Sequence, residues 1–152
     1  MFPGIRLQEG ASNAVIIVDT SVLSRAFRRR RSGPDESTIQ RALQELMASE
    51  LPLGLPGVVL QEILSGIRSE RQFEDLREML LASFTILPAT VSDHVEAARL
   101  KNTCERQGLN VSGIDCLIAV CAITGNHELL AVDDDFPAIA RHAPLKMYQA
   151  TA

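Results

Sequence analysis

Two short apolar runs in this sequence each end directly in an aspartate, and this pattern constrains the fold more than any other feature. Residues 14–18 precede Asp19, and residues 129–132 precede Asp133. Short apolar runs rich in β-branched residues predict buried strands, and the segments between them have helical spacing and capping residues. This alternation predicts a three-layer α/β/α domain with a mainly parallel sheet. Sites in such sheets form at the carboxyl ends of strands, where the two aspartates would meet.

The chain is long enough for one domain and too short for two. It has 152 residues, of which 46% are apolar, and this size suits a single hydrophobic core. We assign residues 14–149 to the domain and residues 1–13 to an N-terminal extension that we expect to be flexible. Residues 1–13 lack the apolar segment of a signal peptide, and the longest apolar stretch, 116–124, is too short to span a bilayer. We therefore expect a cytoplasmic protein without a membrane partner.

Charge and metal-binding residue types narrow the classes of function. A net charge of -4 argues against a protein that holds nucleic acid through one large basic face. The arginine run 28–31 is either a local basic patch or a solvated helix end. The cysteines are odd in number and the histidines are isolated, so neither a disulfide framework nor a zinc site is predicted. The residues concerned are Cys104, Cys116, Cys121, His94, His127 and His142. Any bound metal should have oxygen ligands.

Most of the candidate acids also have a simple structural explanation. Asp19 could cap the helix that follows the first strand. Asp115 lies three residues after Ser112, which is the spacing of a capping box. The run 133–135 could be an exposed turn whose last member caps the next helical turn.

Glu62 is harder to explain structurally, because it shares a helical face with Val59, Ile63 and Gly66 and is expected to point toward the interior. A buried carboxylate without a partner is costly. One divalent cation could serve Glu62, Asp19, Asp115 and Asp133 together. Ligation by oxygen alone suits Mg²⁺ or Mn²⁺.

Four segments that contain these acids resemble the PIN-domain ribonucleases, and more narrowly the VapC-type toxins of toxin-antitoxin pairs. The segments occur in the order found in that family and span nearly the whole chain. They are Val18-Asp19-Thr20-Ser21-Val22-Leu23, Gln61-Glu62-Ile63-Leu64-Ser65-Gly66-Ile67-Arg68, Asp115-Cys116-Leu117-Ile118-Ala119 and Val132-Asp133-Asp134-Asp135-Phe136.

The resemblance implies a role for each acid. Asp19, Glu62 and Asp115 match the first three family acids, and Asp133 matches the fourth, with Asp135 as a second candidate. It implies that these four are catalytic and that Asp19, Asp115 and Asp133 bind Mg²⁺ or Mn²⁺. Thr20 or Ser21 matches the hydroxyl that supports the first acid. Ala131 replaces the threonine or serine of the family pattern, and this removes a hydrogen bond near the fourth acid.

The resemblance also implies a function and partners. It implies a metal-dependent endoribonuclease that cleaves structured RNA, either transfer RNA or ribosomal RNA. It further implies a toxin that forms a homodimer and is inhibited by a cognate VapB-type antitoxin, which wraps the protein and occludes the acidic site. The alternatives are a PIN nuclease that is not a toxin and a PIN-like scaffold that binds RNA or protein without catalysis. Aspartyl phosphotransfer would need an Asp-x-Asp motif, whereas Thr20 and Ser21 follow Asp19.

Overall fold

The computed structural model describes residues 14–27, 41 and 43–149. The predicted extension, residues 1–13, and the arginine run 28–31 lie outside the described residues.

Five parallel strands form a single sheet with the order β3-β2-β1-β4-β5. The strands are β1 (Ile16–Val18), β2 (Leu53–Pro56), β3 (Thr85–Leu87), β4 (Glu128–Leu130) and β5 (Lys146–Met147). The central strand β1 is completely buried, and it pairs with β4 from Ile16 opposite Glu128 to Val18 opposite Leu130. The predicted parallel sheet is confirmed, and the strands that lead to Asp19 and Asp133 are neighbours, although β4 ends at Leu130 and the apolar run continues to Val132 outside the strand.

Helices connect the strands. They are α1 (Thr20–Phe27), α2 (Gly57–Leu64), α3 (Glu70–Ser83), α4 (Val91–Arg106), α5 (Gly113–Thr124) and α6 (Asp135–Ala140), and residues 43–48 are also helical. The α/β class predicted from the sequence is therefore confirmed. Among the described helices, none has both the length and the apolar composition needed to cross a bilayer.

Helix α5 lies in the core and carries one of the candidate acids in its first turn. Seven of its residues are buried, as expected for a helix that is apolar on nearly every side. It packs against α4, α2 and α6. The cysteines 104, 116 and 121 are buried free thiols. Because the helix is held on several sides, the position of its first turn is set by the core.

The opposite, amino edge of the sheet is held by a buried histidine. The backbone N–H of Val15 donates to Nδ1 of His127 at 2.9 Å, so this nitrogen must be unprotonated. Burial lowers the pKa of His127, which favours the neutral form that accepts this bond. A Cβ atom added at Gly125 would collide with the His127 ring. A larger residue at 125 would therefore displace this ring and disturb its bond to Val15.

Candidate active site

The carboxyl ends of β1 and β4 meet at the edge of the sheet where the candidate acids were expected. The backbone N–H of Asp19 donates to the carbonyl of Leu130 at 3.0 Å. The parallel register of the two strands thus continues into the residue that leaves β1. Asp19 is buried, with 4% of its surface exposed. Its position is set by the sheet and does not depend on a flexible loop.

Three aspartates form a compact cluster at this edge. One carboxylate oxygen from each of Asp115, Asp133 and Asp135 lies within 4.8 Å of the others. Asp115 comes from the first turn of α5, while Asp133 and Asp135 follow β4. Asp134 lies between them in sequence, is exposed and is not part of the cluster. The structure therefore brings together Asp115, Asp133 and the second candidate, Asp135.

Local hydrogen bonds explain how two acids from one short run face the same point. The backbone N–H of Asp135 donates to Oδ1 of Asp133 at 2.9 Å. This bond turns the chain directly into α6, which begins at Asp135. The structural alternative in which Asp135 caps this turn is therefore excluded, because Asp135 is itself the first helical residue.

Asp115 does occupy the third position of a capped helix. Its backbone N–H donates to Oγ of Ser112 at 3.0 Å. Among the described residues, the reciprocal bond that completes a capping box forms between Thr90 and Asp93 but not between Ser112 and Asp115. The cap thus uses the Ser112 side chain and the Asp115 backbone, and the Asp115 carboxylate faces the cluster.

The electrostatics of the cluster are unfavourable without a counterion. Burial, together with the charges of Asp133 and Asp19, raises the pKa of Asp115 from 3.8 to about 7. A hydrogen bond with the Asp135 side chain also favours protonated Asp115. Among the described lysines and arginines, none forms an ion pair with these acids. Three clustered carboxylates fit a divalent cation that prefers oxygen ligands.

Asp19 stands beside the cluster and is held by the residue two positions later. Its Oδ2 accepts hydrogen bonds from the hydroxyl of Ser21 at 2.6 Å and from the Ser21 N–H at 3.1 Å. The same hydroxyl accepts from the N–H of Val132 at 3.3 Å. Ser21 therefore links the first acid to the backbone that leaves β4. This link supports the segment where Ala131 lacks the hydroxyl of the family pattern.

Glu62 is connected to the site from the outside. The hydroxyl of Thr20 donates to its Oε1 at 3.3 Å. The expectation that Glu62 points into the interior is wrong, because the residue is exposed. Partial burial of its carboxylate and the charge of Asp19 nevertheless raise its pKa, against the lowering effect of the Thr20 bond. Glu62 is therefore a carboxylate at the rim of the site, near Asp19 and open to solvent.

A groove beside the rim of the site is lined by residues of α1, α2, the loop after α2 and α3. It has a volume of about 390 Å³. Glu62 forms one of its walls, and its apolar lining includes Leu23, Ile63, Ile67 and Leu76. Sequence reasoning missed this groove, because its walls come from three helices that are not continuous in the chain.

Comparison with known proteins identifies the family. The PIN domain model matches residues 16–142, which is most of the chain. The chain belongs to the PIN domain family. The four motifs quoted from the sequence are therefore correctly interpreted at the level of the family. PIN domains are nucleases, and the acidic cluster fits that activity.

Solved structures share the fold of this PIN domain at low sequence identity. VapBC-1 of nontypeable Haemophilus influenzae matches with a TM-score of 0.70 and 17% identity over 91% of this chain and 99% of that chain. VapBC2 of Rickettsia felis, bound to a DNA fragment from its promoter, matches with a TM-score of 0.67 and 18% identity over 88% and 97%. VapBC-5 of Mycobacterium tuberculosis, from a family of toxin-antitoxin systems, matches with a TM-score of 0.59 and 22% identity over 90% and 98%. The comparison with curated proteins finds no match.

Proposed function

We propose that this PIN domain is an endoribonuclease that depends on Mg²⁺ or Mn²⁺ and cleaves structured RNA, either transfer RNA or ribosomal RNA. The observation that carries the proposal is the cluster of Asp115, Asp133 and Asp135 at the carboxyl edge of a PIN sheet. We further propose that it acts in the cytoplasm as the toxin of a toxin-antitoxin pair. The likeness to VapBC structures supports this second part.

The chemistry assigns a task to each acid. Asp115, Asp133 and Asp135 would hold the cation, with Asp19 as a further ligand through Oδ1, since Oδ2 accepts both bonds from Ser21. A bound divalent cation supplies an activated water and stabilises the charge that develops on the phosphate. Glu62, at the solvent side and with a raised pKa, would accept a proton from the attacking water. Thr20 orients that carboxylate through its hydroxyl.

The run 133–135 contains both cluster members and a matched control for a test of this proposal. We expect purified protein to cleave transfer RNA or ribosomal RNA with Mg²⁺ or Mn²⁺ and not with EDTA. Asp115→Asn and Asp133→Asn should lower kcat/KM by at least about 100-fold, because ligands of the cation are removed. Asp134→Asn changes the same chemical group in the same run, but outside the cluster, and should retain nearly full activity.

Three outcomes would contradict the proposal. Cleavage that persists in EDTA would exclude a dependence on metal. RNA binding without cleavage, with either cation, would favour the scaffold alternative. Equal loss of activity in Asp134→Asn and Asp133→Asn would show that the charge of the run matters and that the cluster does not.

The proposed antitoxin would use the groove beside Glu62. Its mixed lining, with apolar side chains and one carboxylate, suits an amphipathic segment whose apolar side chains enter the groove. A basic side chain of that segment would then reach the acids. Ile67→Glu should prevent the cognate antitoxin from inhibiting cleavage, while cleavage itself continues.

Growth of a bacterial host distinguishes a toxin from another PIN nuclease. Induction of the wild-type chain should arrest growth, and co-expression of the antitoxin should restore it. Asp115→Asn should not arrest growth. Normal growth under wild-type expression, with cleavage retained in vitro, would favour a PIN nuclease that is not a toxin.

We also propose that the chain forms a homodimer through α4. Val91 and Val95 lie one helical turn apart and are 82% and 51% exposed. Apolar side chains exposed together on one helix face are typical of a contact with another protein. A second copy of the chain would cover them.

A further inference from the structure

We infer that Lys101 is a positioning residue for the metal site, because its ammonium group fixes the loop from which the first turn of α5 starts. Nζ of Lys101 donates to the carbonyl of Val111 at 2.8 Å. Val111 directly precedes Ser112, the residue that caps α5. This inference rests on the proposed role of the cluster as a metal site.

A short chain of contacts connects Lys101 to the cluster. After Val111, the Ser112 hydroxyl accepts from the N–H of Asp115, and the Asp115 carboxylate lies within 4.8 Å of its two partners. Val111 is 2% exposed, so its carbonyl has little access to water as an alternative partner. Loss of the lysine would leave this acceptor poorly satisfied and loosen the start of α5.

The lysine is held rigidly enough for this role. Its Nζ also lies 3.0 Å from Oε1 of Glu105. Its alkyl stem runs beside the first residue of α5, where an added Cβ on Gly113 would lie 4.0 Å from Cδ of Lys101. The side chain is therefore fixed at its ammonium end, between Val111 and Glu105, while 34% of its surface stays exposed.

Stabilisation of the helices does not account for this arrangement. A cation beside the N-terminus of α5 is opposed by the helix dipole. Within α4, a lysine four residues before a glutamate is the weaker orientation of such a pair. The position of Lys101 is explained by its bond to the loop. Metal sites tolerate only small errors in ligand position, so a looser helix start should weaken cation binding.

The test compares two lysines whose ammonium groups each donate a hydrogen bond to a loop. Lys101 lies at the carboxyl edge of the sheet and Lys146 at the amino edge. Lys101→Met keeps the alkyl stem and removes the donor. Lys146→Met is the matched control, because Nζ of Lys146 donates to Oδ1 of Asn126 at 2.7 Å, at the amino edge. Isothermal titration calorimetry with Mn²⁺ gives the dissociation constant, and thermal unfolding without metal gives the Tm.

We expect Lys101→Met to raise the Mn²⁺ dissociation constant about five- to ten-fold, near the lower limit for outer-shell residues. Its metal-free Tm should fall a few degrees further than that of Lys146→Met, because the buried Val111 carbonyl loses its donor, and the protein should stay folded at the temperature of the titration. Lys101→Arg, which restores a donor, should return the constant to within about two-fold of wild type, and Lys146→Met should leave it unchanged. Equal Mn²⁺ affinity in Lys101→Met and wild type would overturn the inference.

A second variant tests the same inference if Lys101→Met does not fold. Ser112→Ala removes the next contact in the chain at an exposed residue and should also weaken Mn²⁺ binding, whereas unchanged affinity would overturn the inference. The calorimetric result is independent of catalysis. Wild-type protein that binds Mn²⁺ without cleaving RNA would contradict the proposed activity and leave the role of Lys101 standing.

Discussion

The repulsion among the clustered acids should make the metal-free protein more stable when Asp115 is replaced by asparagine. Burial and the neighbouring charges raise the pKa of this carboxyl from 3.8 to about 7 in the folded protein. The folded state therefore holds the proton more tightly than the unfolded state does. The contribution of this carboxyl to the free energy of unfolding is therefore fully present below pH 4 and is lost as the pH rises from about 4 to about 7. Asp115→Asn removes this loss.

The magnitude follows from the size of the shift. A difference of about 3 pKa units corresponds to roughly 4 kcal/mol at 1.36 kcal/mol per unit. Asp115 is partly exposed, and solvent screens the interaction, so we expect a gain of about 1–2 kcal/mol at pH 8. For a domain of this size, that gain raises the Tm by about 3–6 °C. At pH 5 the gain should be less than half as large, because the folded wild-type carboxyl is then mostly protonated.

Urea denaturation in EDTA at pH 5 and pH 8 measures both values. Asp134→Asn is the control and should show no such dependence on pH, since Asp134 lies outside the cluster. Addition of Mn²⁺ at pH 8 should stabilise the wild type more than Asp115→Asn, because a ligand that binds only the folded state stabilises it. A destabilised Asp115→Asn at pH 8, or a gain that is equal at both pH values, would refute the reasoning.

Three further substitutions test other parts of the structure. Ser21→Ala removes the hydroxyl that holds the first acid and should lower kcat/KM about ten-fold with little change in Tm; unchanged kcat/KM would contradict that role. Gly125→Ala should displace the ring of His127 and lower the free energy of unfolding by about 1–3 kcal/mol, and an unaltered urea midpoint would show that the ring moves freely. Val95→Asp should convert the proposed dimer to a monomer in sedimentation equilibrium, while Leu81→Asp, at an exposed residue of another helix, should not.

The local pattern of the chain was sufficient to predict the strands, the parallel sheet and the edge where the acids lie. Asp19 and Asp133 each follow a short apolar run, and backbone pairing between β1 and β4 brings these strand ends together. The apolar composition of α5 likewise predicts its burial. These features depend on side-chain periodicity, which one sequence shows, and on the geometry that all parallel sheets share.

Only the tertiary structure decided how the acids are arranged around the site. Glu62 shares a face of α2 with apolar residues, but it is exposed. Its exposure depends on where the groove beside α2 opens, and the helical pattern of the sequence does not show this. Asp135 joins the cluster because Asp133 turns the chain at that point. The contact of Ser21 with Val132 spans 111 residues, and the orientation of such contacts depends on how separate helices pack. The acids at the strand ends were therefore determined by sequence, whereas their division into a three-aspartate cluster, a supported neighbour and an exposed glutamate was decided by packing.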